Sequence, residues 1–165
     1  MATIMQNGHL EVKKISGSIG AEVHGVDLRN LDESKIKYIR QALLDNKVVF
    51  FRDQDLSSEQ FLKFSAQFGQ PIEYPFVKGI DNFPHIIHVL KREHETTNFG
   101  GVWHCDTLYL DEPPMGTILL AKEIPPHGGD TLFANQVAGQ LRQNVFWHDV
   151  RPRRKLTSRS LRCLI

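Results

Sequence analysis

Apolar and polar positions alternate weakly from Leu10 to Asp27, with Gly17, Gly20 and Gly25 between them, and this spacing predicts short strands joined by turns. Asp32 or Ser34 then offers a cap for a helix through Asn46, in which Ile36, Ile39 and Leu43 recur on one face. Lys47 to Arg52 reads as a buried strand. Ser57 with Gln60 forms a capping-box pattern for a second helix, whose stripe is Phe61, Phe64 and Phe68 and whose end is marked by Gly69 and Pro71. Phenylalanines at that spacing are core residues and imply no cofactor. After a Pro- and Gly-rich stretch, further strands are predicted at His85–Leu90, Trp103–Thr107 and Thr131–Ala134, and the apolar run Met115–Ile124 is cut off by Pro125-Pro126. Helices early and strands late favour a sheet-based α+β core with helices outside.

At 165 residues, with 41% hydrophobic and 24% charged residues, the chain suits one well-cored domain. No apolar run reaches membrane-spanning length and the first residues do not resemble a signal peptide, so no membrane partner and a cytoplasmic location are expected. Cys105 and Cys163 form neither a disulfide framework nor a zinc pattern. The formal charge of +1 hides an asymmetry. Residues 137–165 hold seven basic groups against Asp149 alone, a balance of +6 that leaves −5 on the preceding residues. Arg151-Pro152-Arg153-Arg154-Lys155 shows no sustained period, so this basic tail is expected to be disordered and distinct from a domain over 10–136.

The chemistry concentrates in Trp103-His104-Cys105-Asp106-Thr107. On a strand, residues i and i+2 share a face, so His104 and Asp106 would offer one nitrogen and one oxygen to a single ion. Those are two of the three ligands of a 2-His-1-carboxylate iron site. A His-x-Asp pair taken alone is more often a hydrogen-bonded surface pair. His24, His85, His88 and His94 have no partner at ligand spacing.

Five blocks change that weighting. Gly20-Ala21-Glu22-Val23-His24-Gly25-Val26-Asp27-Leu28, Val49-Phe50-Phe51-Arg52-Asp53-Gln54, Phe64 to Pro71, Trp103-His104-Cys105-Asp106 and Gly128-Gly129-Asp130-Thr131-Leu132-Phe133 follow in an order that resembles the N-terminal half of the TauD/TfdA family. These are taurine-dioxygenase-like, Fe(II)- and 2-oxoglutarate-dependent oxygenases, and the resemblance covers residues 10 to 136. It implies a partial double-stranded β-helix of the jelly-roll, clavaminate synthase-like kind, with helices packed outside and its C-terminal strands missing. It further implies that His104 and Asp106 bind Fe(II), that Thr131 contacts the distal carboxylate of 2-oxoglutarate, and that the substrate is small and anionic, of the taurine or sulfonate class. Trp103 would wall the site or serve as a core aromatic. Tyr74, His94 and Asn98 fall where similar enzymes build the substrate pocket.

Similar enzymes add a second His and a clamping Arg near the C-terminus. Only 59 residues follow Asp106, and His148 with Arg159 eleven positions on carries little weight because five arginines lie in the last fifteen residues. The charge change, the lost periodicity and the end of the resemblance coincide, as a reading-frame shift just after Gln136 would produce. Weak or absent turnover by this chain alone is the expectation. A catalytically dead partner of full-length relatives is the alternative, self-association into a homo-oligomer stays open, and nucleic-acid binding by the tail ranks last.

Overall fold

The computed structural model describes residues 10–96 and 100–138. Three short strands form a mixed sheet in the order β1-β2-β3, where β1 is Glu11–Lys14, β2 is Ala21–His24 and β3 is Val49–Phe50. β1 and β2 are antiparallel, with Val12 opposite Val23, and β3 runs parallel to β2, with Ala21 opposite Val49. Alternation sorts the two faces: Ala21 and Val23 are buried, while Glu22 and its register partners Lys13 and Phe50 share the outer face.

The crossover between the parallel strands is α1, Glu33–Asn46. Asp32 caps it by accepting from the Lys35 amide at 2.9 Å. Its buried positions are Ile39, Ala42 and Asn46, so the stripe lies one turn further along the helix than Ile36-Ile39-Leu43 suggests. Buried Asn46 satisfies its amide by donating to the Ala42 carbonyl at 2.9 Å, while its own carbonyl accepts from the Gly20 amide at 2.9 Å.

The second helix, α2, is Ser58–Ser65 and starts on a complete capping box between Ser57 and Gln60. It ends before Gly69, because Gln67 and Phe68 donate to the carbonyls of Phe64 and Ser65, tightening the last turn. Phe64 is buried and meets Phe51 and Phe68 edge-on. Val23, Leu28, Ile39, Ala42, Leu56 and Phe64 form the core, with Ile118 and Leu120 packed against it from far along the chain. Gln54 fixes the loop between sheet and helix, accepting from the Leu28 amide and donating to the Val26 carbonyl.

The later half departs from the expected strands. Lys47–Arg52 contributes only the two-residue β3, since Lys47 at φ 69° and Asp53 at φ 56° bound it. His85–Leu90 forms no strand: Val89 and Leu90 are half exposed, and the only pairing nearby is the isolated bridge between Ile80 and Phe83. Trp103–Thr107, Met115–Ile124 and Thr131–Ala134 likewise carry no strand. The physical reason is that a ladder needs successive bonds to a neighbouring strand, and among the described residues these segments make none beyond the turn in which Ile86 bonds Ile80 and Phe83. The described residues therefore make a small mixed sheet with two helices. No helix among them is long and apolar enough to cross a membrane. The basic segment from 139, with His148 and Arg159, lies outside the described residues.

Candidate metal centre

His104 and Asp106 are brought together without a strand. Gly100 at φ 70° precedes the motif and Thr107 at φ 46° ends it, so the chain bends on both sides. A β-branched residue in the left-handed region is an outlier, and buried Thr107 holds it while its carbonyl accepts from the Leu110 amide. Between these bends His104 Nε2 lies 3.1 Å from Asp106 Oδ1.

The hydrogen bonds around this pair decide what it can do. His104 Nδ1 sits 2.7 Å from the Val102 carbonyl, which can only accept, so Nδ1 carries the proton. In the neutral ring Nε2 then presents a lone pair toward an ionised carboxylate oxygen. Two lone pairs facing each other at that distance call for a proton or a cation between them. Asp106 Oδ2 is meanwhile occupied by the Thr117 hydroxyl, which donates at 2.8 Å. One imidazole nitrogen and one carboxylate oxygen converge, each with its other polar atom bonded; a shared proton satisfies them as an ion pair, and a divalent first-row metal would take them as two of its three protein ligands.

Gly100 makes room for the imidazole, since a Cβ there would stand 3.0 Å from His104 Cε1. Cys105 is half-buried and accepts from Gln136 Nε2 at 3.1 Å, whereas Asp106 is held by Thr117. Trp103 is 70% exposed, which removes the core-aromatic reading. Tyr74 joins the neighbourhood through a chain of rings, Tyr74 to Phe76 and Phe76 to Tyr109. Desolvation, then the negative charges of the Tyr74 phenolate and the Asp106 carboxylate, hold the Tyr109 phenol above its ordinary value. His94 is exposed, and Asn98 lies outside the described residues.

Thr131 is exposed. Its segment is tied down two residues later, where Phe133 meets Phe50, and again where Asn135 donates to the Ser18 carbonyl at 2.6 Å. Asn135 also accepts from the Ala138 amide, at the start of a helical stretch whose described residues are 136–138. Among the described residues no third His, Cys, Asp or Glu joins His104 and Asp106. Sequence reasoning missed Thr117 and the steric role of Gly100. Thr117 carried no local signal, and Gly100 only that of a flexible glycine pair.

Comparison with known proteins adds the following. The family profile for "Taurine catabolism dioxygenase TauD, TfdA family" matches residues 11–142. An alkylsulfatase of Acinetobacter baylyi is 37% identical over 139 residues, covering 82% of this chain and 43% of that relative. An alpha-ketoglutarate-dependent sulfate ester dioxygenase of Pseudomonas putida is 34% identical over 143 residues, covering 84% and 46%. The crystal structure of a taurine dioxygenase from Burkholderia xenovorans matches with 49% identity and a TM-score of 0.43, over 46% of this chain and 28% of that one. The chain thus spans less than half the length of the curated relatives it matches.

Proposed function

The chain belongs to the TauD/TfdA dioxygenase family, and from that premise we propose that His104 and Asp106 hold Fe(II) for 2-oxoglutarate-dependent oxidation of a small organosulfur anion. The observation that carries this reading is the convergence of His104 Nε2 and Asp106 Oδ1 at 3.1 Å, with the far atom of each group already bonded. Fe(II) and 2-oxoglutarate are the family's metal and co-substrate, and when bound they supply the oxidising power for C–H hydroxylation.

The chain's own residues supply binding and orientation. Val102 holds the His104 tautomer that leaves Nε2 free to ligate, and Thr117 holds the carboxylate. Thr131, with an exposed hydroxyl able to donate, is proposed to contact the distal carboxylate of 2-oxoglutarate. The names of the curated relatives include both sulfate ester and sulfonate dioxygenases, so the proposed substrate class is an organosulfur anion of either kind. A jelly-roll is proposed on family grounds for the family fold as a whole, of which the described residues form only the small mixed sheet and its helices. The test is 2-oxoglutarate decarboxylation with added Fe(II), run beside His104→Ala; equal turnover by both proteins overturns the reading.

A second reading, a non-catalytic partner of other family members, is favoured by one observation. Large apolar side chains stand exposed around the motif and beyond it, among them Val102, Trp103, Ile124 and Leu132. Co-purification with an active relative, without decarboxylation by the chain alone, would select it.

A further inference from the structure

We infer that Thr117 is a positioning residue for the metal centre: its hydroxyl occupies Oδ2 of Asp106 and so presents Oδ1 to the ion. The inference deepens the metal-binding reading and rests on it.

A carboxylate has two equivalent oxygens and turns easily about its last bond, so by itself it does not choose which oxygen to offer. Thr117 makes that choice. Its Oγ1 donates to Oδ2 at 2.8 Å in a partly buried setting, where water competes poorly. Oδ1 is the atom left facing His104 Nε2.

The position of Thr117 is set by the core. Ile118, next to Thr117 in the chain, and Leu120 pack against the buried cluster while Leu119 is 61% exposed, so the half-buried Thr117 sits on a segment held to the core. Lys122 pins the same segment by donating to the Leu56 carbonyl at 3.0 Å. The hydroxyl therefore reaches Asp106 from a backbone anchored in the hydrophobic core. The bend at Thr107 fixes the carboxylate from the other side. Each half of the hydrogen bond is held independently, as a rigid outer partner of a metal ligand must be.

The test is an anaerobic titration with Co(II) alone, read by its visible absorption, on the unaltered chain, Thr117→Val, Thr117→Ser and His104→Ala. Valine keeps the branched shape and removes the donor, whereas serine keeps the donor. The expected result is Co(II) binding weakened by about tenfold or more in Thr117→Val, with an altered band shape as both oxygens become available, and near-normal binding in Thr117→Ser. Circular dichroism checks that each variant is folded, and Thr117→Ala replaces the valine variant if that one is not. Unchanged affinity and spectrum in Thr117→Val overturn the inference alone, as does equal loss in the valine and serine variants. No binding by the unaltered chain, or equal binding by His104→Ala, overturns the metal reading and the inference with it.

Discussion

Phe133 sets its ring edge-on to Phe50, with centroids 5.9 Å apart and planes at 73°, and so fastens a late segment to the outer face of the first sheet. Thr131 lies two residues before this contact. Replacing Phe133 by Ala is expected to cost about 0.5–1.5 kcal/mol for the ring pair beyond the lost burial. A double-mutant cycle with Phe50→Ala, read by urea unfolding, measures the coupling; additive losses would show that the rings do not interact.

Gly100 is expected to resist substitution for two separable reasons. An L side chain at φ 70° costs roughly 1–2 kcal/mol, and its Cβ would press on His104 Cε1. Gly100→Asn eases the first problem and keeps the second. Both Gly100→Ala and Gly100→Asn should weaken Co(II) binding, with the alanine variant melting lower. Normal metal binding in both would remove the proposed crowding of the imidazole.

Ser57→Ala should destabilise the chain by about 1 kcal/mol, because it breaks the capping box and strands an amide at the start of α2. The midpoint of chemical unfolding checks this. Metal binding is expected to be unaffected.

Phe64→Ala removes a buried ring that contacts both Phe51 and Phe68, at an expected cost of about 3–5 kcal/mol. Loss of the cooperative thermal transition at ordinary temperature is the expected readout. A shift of only a degree or two would mean that the core closes elsewhere.

Acid should loosen the sheet through Glu22. The hydrogen bond from Arg52 is the main cause that holds its carboxyl below the ordinary glutamate value, with smaller help from the charges of Arg52 and His24. A depressed folded-state value means that the stabilisation is present above the unfolded value and is lost as pH falls through the folded one. The loss thus begins near pH 4.3, the usual value for glutamate, and continues below it. Unfolding midpoints from pH 6 to 3 should fall less steeply in Arg52→Met, and parallel curves would count against the pair.

How much of this was legible beforehand depends on how far apart the interacting residues lie. The cap of α2 was readable because Ser57 and Gln60 meet within one turn, whereas for α1 the sequence offered Asp32 or Ser34 and the structure selects Asp32. Family membership was readable from the order of short blocks, which survives whatever the chain does between them. The strand expected at Trp103–Thr107 was not, since a positive φ at a threonine has no composition signal and depends on its surroundings. His85–Leu90 looked like a strand by its residues, yet pairing needs a neighbour that local pattern does not supply.

The sequence by itself therefore determined the presence of the two helices, the capping box of α2, the phenylalanines that pack in the core and the choice of His104 and Asp106 as candidate ligands. Tertiary structure alone decided how those two groups face one another. Nε2 and Oδ1 converge because Gly100 and Thr107 bend the chain around them. Thr117, carried in by the burial of Ile118 and Leu120, then takes the other carboxylate oxygen. Contacts between residues distant in sequence are set by packing, and packing is where local pattern stops informing.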